Sequence, residues 1–171
     1  MRVVVMAGAL LALGGLDTPA LAQCAGQYDP QIGTNFAPCP PLSLYQRLEV
    51  KDGTGTLRGG RDALALIVDD FVANLVADGR TKARFGALKP PEVAKLKSLL
   101  ADQLCEVSGG PCAYYGRDMK ATHAGMKITE AEWTATVEAL GKALDKYKIR
   151  AKEKEDLLAA LGPMKKDIVG Q

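Results

Sequence analysis

The sequence predicts an all-α domain over residues 42–171, and three observations carry that prediction. Apolar residues recur with a helical period in three separate stretches: Leu64, Ile67, Val68, Phe71 and Leu75; then Val93, Leu96, Leu99, Leu100 and Leu104; then Trp133, Val137, Leu140 and Leu144. The stretches carry helix punctuation. Pro90-Pro91 can open the second, Ser108-Gly109-Gly110-Pro111 stops it, and Thr129 with Glu132 is spaced as a capping box for the third. No run of alternating polar and apolar residues marks a strand.

Residues 1–22 read as a secretory signal peptide. Arg2 gives a positive start, Val3 to Leu16 is an apolar run, and Ala20-Leu21-Ala22 places small residues before a cleavage site at Gln23. The apolar run is shorter than the roughly 20 residues a membrane span needs, so stable membrane insertion is not expected. The mature chain is therefore expected to be exported, and the periplasm is the expected compartment. Residues 23–41 hold Pro30, Pro38, Pro40 and Pro41 and lack apolar periodicity, which predicts an irregular arm.

Within the domain, Ser43 can cap a short helical turn ending near Leu48. Lys51 to Gly60 contains four glycines and is expected to be a surface loop. A helix is predicted from Asp62 to Asp78-Gly79, a second from Pro90 to Ser108, and a third from Thr129. Tyr114 to Lys120 reads as loop leading into a short segment around His123. The last helix runs from about Lys152 through Leu157, Leu158 and Leu161 into a Met164–Val169 tail.

Composition removes several functions. The 22 basic and 20 acidic residues nearly balance, and only 5% of residues are aromatic, so a nucleic-acid surface is not expected. The cysteines are Cys24, Cys39, Cys105 and Cys112, an even set that favours disulfides in an exported chain. Three pairings are possible; the local one joins Cys24 to Cys39 and Cys105 to Cys112 and closes two short loops. No Cys-x-x-Cys occurs, which removes the usual signal for a zinc ribbon, a thioredoxin-type site or covalent c-type haem attachment. His123 is the only histidine, so a zinc site built from several histidines is impossible, and no Gly-x-Ser-x-Gly elbow is present. One histidine among apolar helices suits a different task, donating a single imidazole nitrogen to haem iron.

Residues in order along the chain carry a family resemblance. They are Ser43-Leu44-Tyr45, Val68-Asp69-Asp70-Phe71, Leu75-x-Ala77-Asp78-x-Arg80, Phe85, Gly109-Gly110-Pro111 and Tyr115-Gly116-Arg117-Asp118-Met119. The run Met119-Lys120-x-x-His123-x-Gly125-x-x-Ile128-Thr129 follows, and the tail carries Pro163-Met164-Lys165-Lys166-Asp167-Ile168-Val169. In these features the chain resembles a group I truncated globin. The resemblance implies a two-over-two helical sandwich around non-covalent haem b, with His123 as the proximal iron ligand. It also implies that Phe85 wedges against the haem face and that Met119 and Tyr115 lie along the proximal loop. Leu96, Leu100 and Trp133 are expected to line the cofactor.

On the distal side Phe71, Val72 and Gln103 are the candidates, and here the chain departs from the family pattern. Many members carry a tyrosine where this chain has Val72. Leu96 and Leu100 stand where glutamines are often found, leaving Gln103 as the nearest polar residue. Fewer donors imply weaker retention of dioxygen relative to carbon monoxide or nitric oxide. The function implied is reversible binding of a diatomic gas for transport, sensing or scavenging, with a separate electron donor. The alternatives are a haem enzyme with nitric-oxide dioxygenase or peroxidase-like activity, and a globin-derived structural protein without haem.

Overall fold

A computed structural model describes residues 41–171. The signal peptide, the irregular arm and the Cys24–Cys39 pairing lie outside the described residues. Leu42 to Gln171 form one compact unit.

The unit begins with the short helix α1 (Leu44–Arg47), whose cap is the one expected of Ser43. Gln46 N–H donates to Ser43 Oγ at 3.3 Å, and Ser43 N–H donates to Gln46 Oε1 at 2.9 Å. The next element corrects the expected loop. Lys51 to Gly60 belongs largely to an antiparallel hairpin of β1 (Glu49–Lys51) and β2 (Leu57–Gly59), with Val50 opposite Arg58. Asp52 builds its turn: Oδ1 accepts from Thr54 N–H at 2.8 Å and Thr56 N–H at 3.0 Å, while Oδ2 takes Arg58 Nε at 2.8 Å. Buried Val50 anchors the hairpin to the core, and the rest of it is outside.

Four long helices follow the predicted periodicity: α2 (Gly60–Ala77), α4 (Pro90–Val107), α6 (Glu130–Lys146) and α7 (Ala151–Leu161). Between them lie the short α3 (Lys82–Phe85) and α5 (Met119–His123), and a 3₁₀ helix, Gly162–Asp167, continues α7. The packing follows from the apolar stripes. Helix α2 buries Leu64, Ile67, Val68, Phe71, Val72 and Leu75 and packs on both α4 and α6, while α7 touches α4 and α6. That is a two-over-two helical arrangement. Each fully buried leucine or isoleucine contributes about 1.5–3 kcal/mol, so an Ile67→Asp change in the middle of α2 would unfold the unit. No helix among the described residues is long and apolar enough to cross a membrane.

The loop after α4 is held by a disulfide between Cys105 and Cys112, whose Sγ atoms are 2.01 Å apart. Gly110 sits against it. A Cβ there would lie 2.6 Å from both Cys105 Sγ and the Tyr45 ring, so only glycine fits. The chain's tail returns to the segment after α5: Gly170 N–H donates to Ile128 O at 2.9 Å, and Ile128 and Val169 form a parallel bridge. The region carrying His123 is thus braced from both ends.

Candidate functional site

The site begins with α5, five residues capped by Asp118, whose Oδ1 accepts from Ala121 N–H at 2.8 Å. His123 ends the helix, half-buried, and the chain leaves through Gly125 at φ +79°. His123 Nδ1 lies 2.7 Å from the Met119 carbonyl oxygen. A carbonyl only accepts, so Nδ1 carries the hydrogen and donates it. The opposite nitrogen, Nε2, is then left with a free lone pair, which is the tautomer a metal ligand requires.

Met119 is held in turn. Gln103, on α4, directs its Nε2 at Met119 Sδ (3.5 Å) and Met164 Sδ (3.4 Å). The structure therefore joins three of the expected residues, Gln103, Met119 and His123, in one hydrogen-bonded series. Gln103 points its amide at two thioethers rather than into an open distal space. Met164, which brings the 3₁₀ helix into this series, enters the sequence reading only as part of the tail motif and not as a site residue.

Along α4 the burial divides into two faces. Ala101, Leu104 and Cys105 are buried in the core, whereas Val93, Leu96 and Leu100 are half-buried and pack at its margin. Phe85 closes α3 and packs against the same cluster, which includes Phe71 and Val72 of α2. Trp133 is half-buried in the first turn of α6. An ion pair reaches between these aromatic residues: Arg84, beside Phe85, binds Glu132, beside Trp133, with Nη2 to Oε2 at 3.1 Å and Nε to Oε1 as a second contact. The Arg84 guanidinium, helped by the Thr129 backbone, holds the Glu132 carboxyl at about 2. In sequence Glu132 reads only as a capping residue, which it also is, accepting from Thr129 N–H at 2.8 Å.

Tyr115 is not brought to this group. Its side chain is 90% exposed, and Tyr114 turns inward instead, donating from its hydroxyl to the Arg117 carbonyl at 3.0 Å. Burial pushes the Tyr114 hydroxyl above its ordinary pKa.

A hollow of about 430 Å³ opens at the start of α4, lined by Leu88, Pro90, Val93, Ala94 and Lys97. Lys97 pairs there with Asp69 at 2.9 Å. The larger groove, about 660 Å³ between the hairpin and the α6–α7 turn, contains none of the candidate site residues. Size is a poor guide to chemistry here.

Among the described residues no group of three or more His, Cys, Asp or Glu is placed to hold a metal ion. The donor set is one imidazole nitrogen beside an apolar, half-exposed helix face. That combination fits a planar metal complex that brings its remaining ligands with it, as haem does.

The bacterial-like globin family model matches residues 57–169. The chain is 25% identical over 138 residues to a group 1 truncated hemoglobin of Mycolicibacterium paratuberculosis, covering 81% of this chain and 92% of that one. It is 30% identical over 103 residues to a group 1 truncated hemoglobin of Nostoc sp., covering 60% and 82%. Among solved structures, the Fe(III) truncated hemoglobin of Tetrahymena pyriformis matches 76% of this chain and all of its own, with a TM-score of 0.66 at 23% identity. The last likeness concerns the fold.

Proposed function

The chain belongs to the bacterial-like globin family, and from that premise we propose that it binds haem b non-covalently through His123 and takes up diatomic ligands at the iron. The observation that carries this reading is the 2.7 Å bond from His123 Nδ1 to the Met119 carbonyl, which leaves Nε2 free to coordinate. Haem, when bound, supplies the iron that takes dioxygen, carbon monoxide or nitric oxide. Everything else is the work of the chain's own residues. Phe85 and the α4 leucines offer apolar surface to a porphyrin, and that surface keeps water from the ligand side. Non-covalent retention is in keeping with Cys105 and Cys112, the two cysteines among the described residues, whose sulfurs are committed to each other.

The ligand side is apolar. Phe71 and Val72 are buried, Leu96 and Leu100 carry no donor, and the Gln103 amide nitrogen is directed at the Met119 and Met164 sulfurs. Bound dioxygen carries partial negative charge and is retained by donors, so this pocket favours carbon monoxide and nitric oxide over dioxygen. A dioxygenase or peroxidase-like enzyme needs polar groups at the same place, and Val72, Leu96 and Leu100 supply none. Reversible gas binding is therefore the preferred reading. Reversible binding itself consumes no electron; were the iron to oxidise, a donor outside the chain would have to supply the electron that restores it.

The proposal includes export to an oxidising compartment such as the periplasm. Support comes from the Cys105–Cys112 disulfide, a bond rare in reducing cytosol, and from the three-part layout of residues 1–22.

Titration of the purified mature chain with haem, followed by reduction and addition of carbon monoxide, tests the reading. The expected result is saturable uptake at one haem per chain and a carbon-monoxide complex that outlasts the dioxygen complex. A chain that takes up no haem contradicts it.

A further inference from the structure

Met119, Gln103 and Met164 come from three separate elements and meet over one side-chain amide. An amide nitrogen has two hydrogens. Gln103 Nε2 lies 3.5 Å from Met119 Sδ and 3.4 Å from Met164 Sδ, so it can offer one hydrogen to each. A leucine would fill this half-buried place without polar atoms to satisfy, so a glutamine here does something that packing alone does not require.

What it reaches has little stability of its own. Helix α5 has five residues, none of them buried. A helix that short has no stability of its own. Asp118 caps it and the chain's tail pins Ile128 beyond it. Among the described residues, Gln103 is the one side chain outside residues 114–126 that hydrogen-bonds to α5. The residue it grips, Met119, is also the one whose carbonyl receives the His123 Nδ1 hydrogen.

We infer that Gln103 is a positioning residue for the iron: by holding Met119 it fixes the carbonyl that orients the His123 ring and sets the basicity of Nε2. The inference rests on the haem reading above. Its physical basis is that a hydrogen bond to the far nitrogen of a ligating imidazole fixes the tautomer, aims the ring and raises the ligand's basicity. Releasing Met119 lets the carbonyl drift from the ring, and Nε2 becomes a poorer donor.

Resonance Raman spectra of the ferrous haem-loaded full chain read this directly through the iron–histidine stretch. Gln103→Leu should broaden the band and move it to lower frequency. Met119→Leu should do the same, and the double variant should add nothing further, since both break one series. Met164→Leu keeps the Gln103–Met119 bond and should move the band less. In the haem-free chain, Gln103→Leu should also speed amide hydrogen exchange at Thr122, whose N–H donates to the Asp118 carbonyl at 2.9 Å, while exchange at Leu144 in the core stays as it was. An unchanged band in Gln103→Leu with haem bound overturns the positioning role and leaves the haem reading standing. A wild-type chain with haem but no iron–histidine band overturns both, and shows it before any variant is compared.

Discussion

Arg84 and Glu132 form a two-point ion pair that ties the corner carrying Phe85 to the first turn of the helix carrying Trp133. The pair has a consequence for acid stability. Glu132 is held at about 2, against an ordinary 4.5, first by Arg84 and then by the Thr129 backbone. A carboxyl whose folded pKa is depressed stabilises the fold fully above its unfolded value and loses that contribution as pH falls toward its folded value. The wild-type urea midpoint should therefore drop as pH falls from 4.5 to about 2. Glu132→Gln should lose less over the same window, with the remaining slope coming from other carboxylates. Equal slopes in the two proteins would mean that this pair is not coupled to folding.

Val72 is 3% exposed on α2, beside Phe71. Val72→Tyr restores a hydroxyl where many truncated globins have one. Extra bulk in a packed place costs about 1–3 kcal/mol of stability. A donor to bound dioxygen worth ~1.4 kcal/mol slows its dissociation about tenfold. Stopped-flow dissociation should show that slowing for dioxygen and little change for carbon monoxide. Unchanged dioxygen release would place Val72 out of the ligand's reach.

The Cys105–Cys112 bridge spans a sequence separation of 7. Closing so short a loop removes unfolded-state entropy worth about 2–3 kcal/mol. Replacing both cysteines by serine should lower the urea unfolding free energy by that amount. It should also loosen the Gly110 turn packed on Tyr45. A double variant as stable as the wild type would show that the bridge is incidental to folding.

The long helices were legible in the sequence because each has enough turns to display its period, and because Pro90-Pro91, Ser108-Gly109-Gly110 and the Thr129/Glu132 box mark their ends. The hairpin was not. Its strands have three residues each, and in β2 Leu57, Arg58 and Gly59 are all exposed, so no alternation exists to be read. The Asp52-Gly53 step was the one available signal, and Asp52 does build the turn. For the site, the family resemblance supplied His123, Met119 and Phe85, while the contacts that organise them could not be seen. Gln103 bonds residues 16 and 61 positions away, and Arg84 reaches 48 positions to Glu132. Such pairings exist only once the helices are packed. Tyr114 and Tyr115 show the same limit at closer range: adjacent tyrosines in a loop look alike in sequence, and the Arg117 carbonyl draws in the first of them.

The most direct measurement is the absorption spectrum of the haem-titrated chain in its ferric, ferrous and ferrous carbon-monoxide forms, beside His123→Ala. The wild type should show a histidine-ligated ferrous carbon-monoxide spectrum that is lost in the variant and regained when imidazole is added to it. A variant spectrum identical to the wild type would show that the iron is held elsewhere and that His123 is not its ligand.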